Sequence, residues 1–214
     1  MAYNLKNIHW LGHDSFRIDG ETAVIYLDPW QLGESPKAAD LVLITHDHHD
    51  HCSVEDVEKI QQKGTVIVTV EAAAKMLKGQ IEIVKPGDTL TLKGVKIEAV
   101  PAYNLTKFRS PGVPFHPKEK AYVGFILTVG GMRIYHAGDT DVIPEMEKFE
   151  VDIGLLPVSG IYVMTADEAV EAARVIKPQV VIPMHVGRGI GAHSDAEQFK
   201  AKSPVPVEVL PFEG

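Results

Sequence analysis

At 214 residues, 45% hydrophobic and 23% charged, the chain has material for a sizeable core, as one domain or two intimately packed halves. A formal charge of -8 argues against a protein whose main business is coating nucleic acid or anionic membrane, and it favours a small-molecule substrate as partner. No stretch of about 18 apolar residues is present for membrane insertion, and MAYNLKNIHWLGHDSF lacks a basic segment ahead of an apolar one, so the expected location is cytoplasmic.

Strands are expected where apolar or alternating runs recur between turn signals: 22–27, 41–45, 65–70, 81–84, 95–100, 121–129, 132–137, 151–157 and 179–184. Helices are expected at about 54–62, 71–78, 166–176 and 195–201. Ser53 with Asp56, Thr165 with Glu168 and Ser194 with Glu197 have capping-box spacing, which would start three of them. No long Pro/Gly/Ser-rich linker divides the chain, so 1–214 reads as a single domain of mixed α/β (α+β) type. The segment YNLTKFRSPGVPFHPKEK, 103–120, carries three prolines among basic and aromatic residues and reads as a long functional loop.

Between the strand LVLIT and the helix beginning SVEDVEKI lies THDHHDHC, 45–52. Its His46, His48, Asp50 and His51 form H-x-H-x-D-H in the turn after a strand, where α/β folds commonly place ligands. Neutral imidazole nitrogens and carboxylate oxygens are the donors a borderline divalent metal takes. Solvated faces use alternating Lys and Glu instead. Asp47 and His49 read as spacers, and the single cysteine, Cys52, as a small buried side chain. One turn rarely completes a site for two ions. Asp139 in IYHAGDTD and His185 in VIPMHVG also follow strands and are candidates to converge on it.

The order H-x-H-x-D-H, then Gly-Asp-Thr after a strand, then a histidine after IPM resembles the metallo-β-lactamase superfamily of metal-dependent hydrolases over most of the chain. WLGHDSFRI at 10–18 and YLDPW at 26–30 further resemble the branch containing L-ascorbate-6-phosphate lactonase and N-acylphosphatidylethanolamine phospholipase D. The resemblance implies a four-layer αββα sandwich with the site at one edge of two facing sheets. It implies that His46 and His48 hold one metal, that Asp50, His51 and His185 hold a second, and that Asp139 bridges them. Zinc is the first expectation, as one or two ions, with manganese or iron as alternatives. Two close cations would lower the pKa of a shared water toward about 7 and polarise the substrate oxygen.

The family usually supplies a third histidine to the first metal after a middle strand, where this sequence reads VPAYN. Asn104 is the nearest candidate as ligand or water-holder, and His116 could fold back as a substitute. His13 is expected to touch the metal surroundings or the substrate. Asp28 is expected either to orient a metal-bound imidazole or to cap its own turn. His136 and His9 read as structural, and His193 as able to reach the pocket. Lys107, Arg109, Lys118 and Arg188 are either solvated or placed for a substrate anion. GRGIGAH, 187–193, lacks the P-loop lysine pattern.

The resulting expectation is a metal-dependent hydrolase of a small anionic ester, lactone or phosphodiester. The alternatives are a nuclease like those that process tRNA ends, against which the acidic balance counts, and a metal-binding protein with reduced catalysis, for which Asn104 speaks. A redox role would follow if iron is native. Pairing into a homo-oligomer stays open.

Overall fold

The computed structural model describes residues 5–214 and shows two six-stranded mixed sheets. The first is built in sequence order from β1 (Ile8–Gly12), β2 (Ser15–Asp19), β3 (Val24–Leu27), β4 (Leu41–Ile44), β5 (Val66–Thr69) and β6 (Gln80–Ile83). Its first three strands are antiparallel and β3 to β6 run parallel. The second contains β7 (Thr89–Leu92) and β8 (Val95–Pro101), then, beyond a small hairpin of β9 (Phe108–Ser110) and β10 (Val113–Pro114), β11 (Val123–Val129), β12 (Met132–His136), β13 (Ile153–Pro157) and β14 (Val180–Met184). Here β7, β8, β11 and β12 are antiparallel, whereas β12, β13 and β14 are parallel. The chain passes between the sheets within 84–88, and its tail returns to the first when Glu213 N donates to Trp10 O at 2.9 Å.

Sequence explains the layering. Every residue of β4, β5, β13 and β14 is buried, as parallel strands covered on both faces require. In β8, buried Val95, Ile97 and Ala99 alternate with Lys96, Glu98 and Val100, so one face packs on the core. Helices α1 (Val54–Ile60) and α2 (Glu71–Ala74) connect parallel strands of the first sheet; α3 (Ala166–Ile176) joins β13 to β14, and α4 (His193–Lys202) follows. Helix α3 buries Ala166, Ala169, Val170, Ala173 and Ile176, a helical-period stripe, and packs on α4 and β13. This is the metallo-β-lactamase sandwich expected above.

Several details differ from the sequence reading. Strands β1, β2 and β7 are not marked by continuous apolar runs, because His9, Arg17, Asp19, Thr89 and Thr91 interrupt them. Helix α2 stops at Ala74, where Met76 N→Ala73 O and Leu77 N→Ala74 O tighten the chain into three-residue turns. The Thr165–Glu168 box forms in both directions, at 2.7 and 3.2 Å. Ser194 and Glu197 do not start α4. The helix begins two residues earlier, at His193, and Asp195 Oδ2 accepts from Ala192 N at 2.9 Å. No helix among the described residues is long and apolar enough to cross a membrane.

Candidate metal centre

The strand ends bring the predicted residues together. His13 follows β1, Asp28 follows β3, the 46–51 turn follows β4, Asp139 lies beyond β12 and His185 follows β14. Their backbones are stitched across the two sheets by His13 N→Val186 O and His185 N→His13 O, at 3.3 and 3.2 Å. His13, Asp28 and His185 hold φ of 53, 42 and 61, a left-handed conformation that non-glycine residues avoid unless their surroundings impose it.

Two groups of donors result. In the first, His46 Nε2 is 3.0 Å from His48 Nδ1, which is 3.2 Å from His116 Nε2. In the second, His51 Nε2 and His185 Nε2 lie 3.3 and 3.5 Å from Asp139 Oδ1. The other oxygen, Asp139 Oδ2, is 3.2 Å from His116 Nε2, so this one carboxylate faces both groups. Asp50 Oδ2 is 3.3 Å from His13 Nε2 at the side of the second group.

Hydrogen bonding fixes which ring nitrogens are free. Asp28 is fully buried, and its Oδ2, which can only accept, lies 2.7 Å from both Thr45 Oγ1 and His51 Nδ1. His51 Nδ1 therefore carries the proton, which leaves the Nε2 lone pair aimed at Asp139. The Thr45 hydroxyl spends its hydrogen on Asp28, so at 2.9 Å it accepts from His46 Nδ1 and frees His46 Nε2 as well. One carboxylate thus sets an imidazole in each group.

His116 is held by Asn104. Asn104 Nδ2 donates to Tyr162 O and Asp141 Oδ1 at 3.0 and 3.2 Å, which fixes the amide orientation. Its Oδ1 then accepts from His116 N and His116 Nδ1, both at 2.8 Å. Asn104 is expected above as a ligand or water-holder. Its oxygen is instead fully engaged with His116, whose Nε2 stands in the first group. On the other side, Ser159 Oγ positions His185 Nδ1 at 2.8 Å.

The electrostatics suit a cation. Burial pulls the imidazoles of His46, His48 and His13 down, His13 to about 4, so they stay neutral with lone pairs available. Burial would push Asp139 up, but His51, His185 and His116 outweigh it and hold the carboxylate well below its usual range. Burial likewise pulls His51 down, and Asp139 and Asp28 overcome it.

A divalent metal fits these residues. His51 Nε2, His185 Nε2, Asp139 Oδ1 and both ring nitrogens of His13 are buried without a hydrogen-bond partner, a costly arrangement unless something between them accepts their lone pairs. Ligands bound at about 2.0–2.1 Å around a tetrahedral ion stand about 3.3–3.4 Å apart, close to the separations given above.

Residues 7–185 match the family described as the beta-lactamase superfamily domain. The chain belongs to the metallo-β-lactamase superfamily. Relatives include UPF0173 metal-dependent hydrolases of Thermoplasma acidophilum, 35% identical over 92% of this chain and 90% of that one, and of Methanopyrus kandleri, 32% identical over 90% and 89%. The crystal structure of a candidate metal-dependent hydrolase from Parabacteroides distasonis superposes with a TM-score of 0.83, at 34% identity over 96% of this chain and 93% of its own.

Within this superfamily fold the remaining residues separate cleanly. Asp47 Oδ1 accepts from Tyr122 OH at 2.6 Å, holding a ring that packs 5.0 Å from His46, and the His49 ring is 83% exposed at the cleft. His136 bonds Asp14 O at 2.8 Å, and His9 pairs with Glu213 at 2.7 Å, both structural as expected. Cys52 is buried. His193 sits edge-on to Trp10 in a separate hollow of about 240 Å³ rather than in the metal cleft. Lys107 pairs with Glu168 at 2.7 Å and Lys118 with Glu145 at 2.9 Å, while Arg188 bonds Gln31 O at 3.1 Å and lies over Phe212. Sequence reasoning missed Thr45, Ser159 and Asp14. Asp14 is fully buried beside His13, His51 and His185 with neither oxygen bonded, and burial pushes it up to about 8. In sequence it looks like an ordinary turn aspartate.

Proposed function

We propose that the chain is a metal-dependent hydrolase that holds two divalent cations, zinc first among them, and cleaves an ester, lactone or phosphodiester bond. His46, His48 and His116 would hold one ion, and Asp50, His51 and His185 the other, with Asp139 between them. The observation that carries this reading is Asp139, whose two oxygens face two separate groups of imidazole nitrogens at 3.2 to 3.5 Å. When bound, the ions activate water and polarise the substrate's carbonyl or phosphoryl oxygen.

The chain's own residues do the rest. Asp28, Thr45, Asn104 and Ser159 fix ring orientation, so the donor atoms are in place before any ion arrives. His13 stands at the side of the second group, its ring 4.3 Å from that of His185 and 5.2 Å from that of Trp30, fully buried and within the same cluster as His51 and His185. WLGHDSFRI and YLDPW keep the lactonase and phospholipase D branch as the reference for substrate chemistry. Asn104 standing where a histidine is usual speaks for reduced catalysis; His116 Nε2, 3.2 Å from His48 Nδ1, supports the full hydrolase reading over it.

The test is metal content per chain by elemental analysis, alongside turnover of generic ester, lactone and phosphodiester substrates before and after chelation. About two ions, with turnover abolished by chelator and restored by added metal, is the expected result. Hydrolysis that survives complete metal removal would overturn it.

A further inference from the structure

We infer that the cleft selects neutral acyl substrates, carboxylic esters or lactones bearing an apolar chain, over phosphodiesters and other anions; this rests on the hydrolase reading above. The cleft has a volume of about 410 Å³ and opens directly onto His48, Asp50, His116 and Asp139. Beyond those groups it is lined by Phe115, Ile161, Tyr162 and Ile190, with Gly189 and the exposed His49 ring, and it has no lysine or arginine among its described lining residues. The Phe115 and Tyr162 rings pack at 4.6 Å and make one side of the cleft largely apolar. Ile161 and Tyr162 are 41% and 42% exposed, large apolar side chains left in water at the mouth.

Of the nearby cations, the two lysines are paired with carboxylates, whereas the two arginines bond neutral carbonyls and aromatic rings outside the cleft lining. Lys107 is held by Glu168, Lys118 by Glu145 and Arg188 by the carbonyls of Gln31 and Leu11. Arg109 stacks on Phe115, 5.6 Å from its ring centre, and bonds the Phe115 carbonyl. The polar chemistry is therefore concentrated at the metal groups, and the rest of the cleft offers surface that only an apolar group repays for dehydration. Water adds to the acyl carbon, the C–O bond to the alcohol breaks, and the alcohol oxygen leaves with a proton. No co-reactant beyond water is needed.

The deciding experiment uses metal-loaded protein and p-nitrophenyl acetate, butyrate and hexanoate beside bis(p-nitrophenyl) phosphate. Each added methylene is expected to raise kcat/KM about threefold, and every ester should exceed the phosphodiester. Ile161→Ser and Ile190→Ser should each narrow the hexanoate-to-acetate ratio. An NMR titration of chelated protein with hexanamide and acetamide reads the cleft without turnover, and hexanamide should bind about tenfold tighter or more. A flat chain-length series, a preferred phosphodiester, or equal binding of the two amides would overturn the inference while leaving the hydrolase reading intact. No turnover of any substrate by fully loaded protein would count against the hydrolase reading, and the amide titration would still decide the cleft's preference.

Discussion

Replacing Asp28 by Asn preserves the shape of the side chain but turns one of its two acceptor oxygens into a donor. Oδ1 receives Thr45 N, and Oδ2 receives both Thr45 Oγ1 and His51 Nδ1, so an amide cannot satisfy all three donors. With the amide nitrogen in place of Oδ2, His51 must change tautomer and Thr45 must turn its hydrogen toward His46, and each change takes a lone pair from a different metal group. Asp28→Asn should therefore weaken both ions by roughly 10–100-fold, as loss of such supporting bonds generally does. Asn104→Ala should weaken only the ion at His116. Calorimetric titration of metal-free protein separates the two, and loss of a single ion from Asp28→Asn would refute the shared role. The proposed ligands in the 46–51 turn, with Asp139 and His185, were legible because each lies in the turn that follows an apolar strand. His116 was legible only as an alternative to Asn104, because its position depends on 103–120 folding back onto that residue. Thr45 was invisible as a positioning group, since a hydroxyl at the end of a strand has many uses.

At the scale of elements, α1 does more than connect two strands. Asp56 in its first turn accepts from Gln31 N at 2.7 Å and Leu32 N at 3.0 Å, tying the helix to the loop after Asp28. It also receives Ser53 Oγ at 2.7 Å and Lys59 Nζ at 3.0 Å. Burial would raise the Asp56 carboxyl, but these donors outweigh it and hold it below the ordinary value. A folded-state pKa below the unfolded one means the contribution is complete above about pH 4 and fades as acid protonates the folded carboxylate. Asp56→Ala should cost about 2 kcal/mol in urea unfolding at pH 7, with the gap from the parent narrowing toward pH 3. A constant gap across that range would show that the carboxylate charge is not what ties the loop. Capping spacing located the starts of α1 and α3. It failed at α4 because Asp195, one residue after Ser194, reaches back to Ala192 N first.

For the whole molecule, both proposed metal groups draw on both sheets. His46, His48, Asp50 and His51 follow β4 of the first sheet, while His116, Asp139 and His185 belong to the second. Each ion would then pin one sheet to the other, and its binding free energy adds to folding. At a metal concentration 100 times its Kd, that addition is about 2.7 kcal/mol. For two ions in a chain of this size chelation should lower Tm by roughly 10–20 °C, measured calorimetrically. An unchanged Tm would mean that the ions do not bind the folded chain in preference to the unfolded one, and would count against the two-sheet sites. Apolar periodicity gave the strands of both sheets apart from β1, β2 and β7, without saying which belonged together, since pairing is set by crossovers that no local run encodes.

The route of the chain gives this division a further meaning. Because the passage from one sheet to the other lies within 84–88, a break there would leave two contiguous pieces, each with a complete sheet and an incomplete set of donors. The returning tail at Glu213 and the shared core would bring the pieces together, and metal would favour the assembled pair over either piece alone. Metal affinity would then depend on the concentration of the pieces themselves, so the same fold would serve as a complementation pair responsive to metal supply.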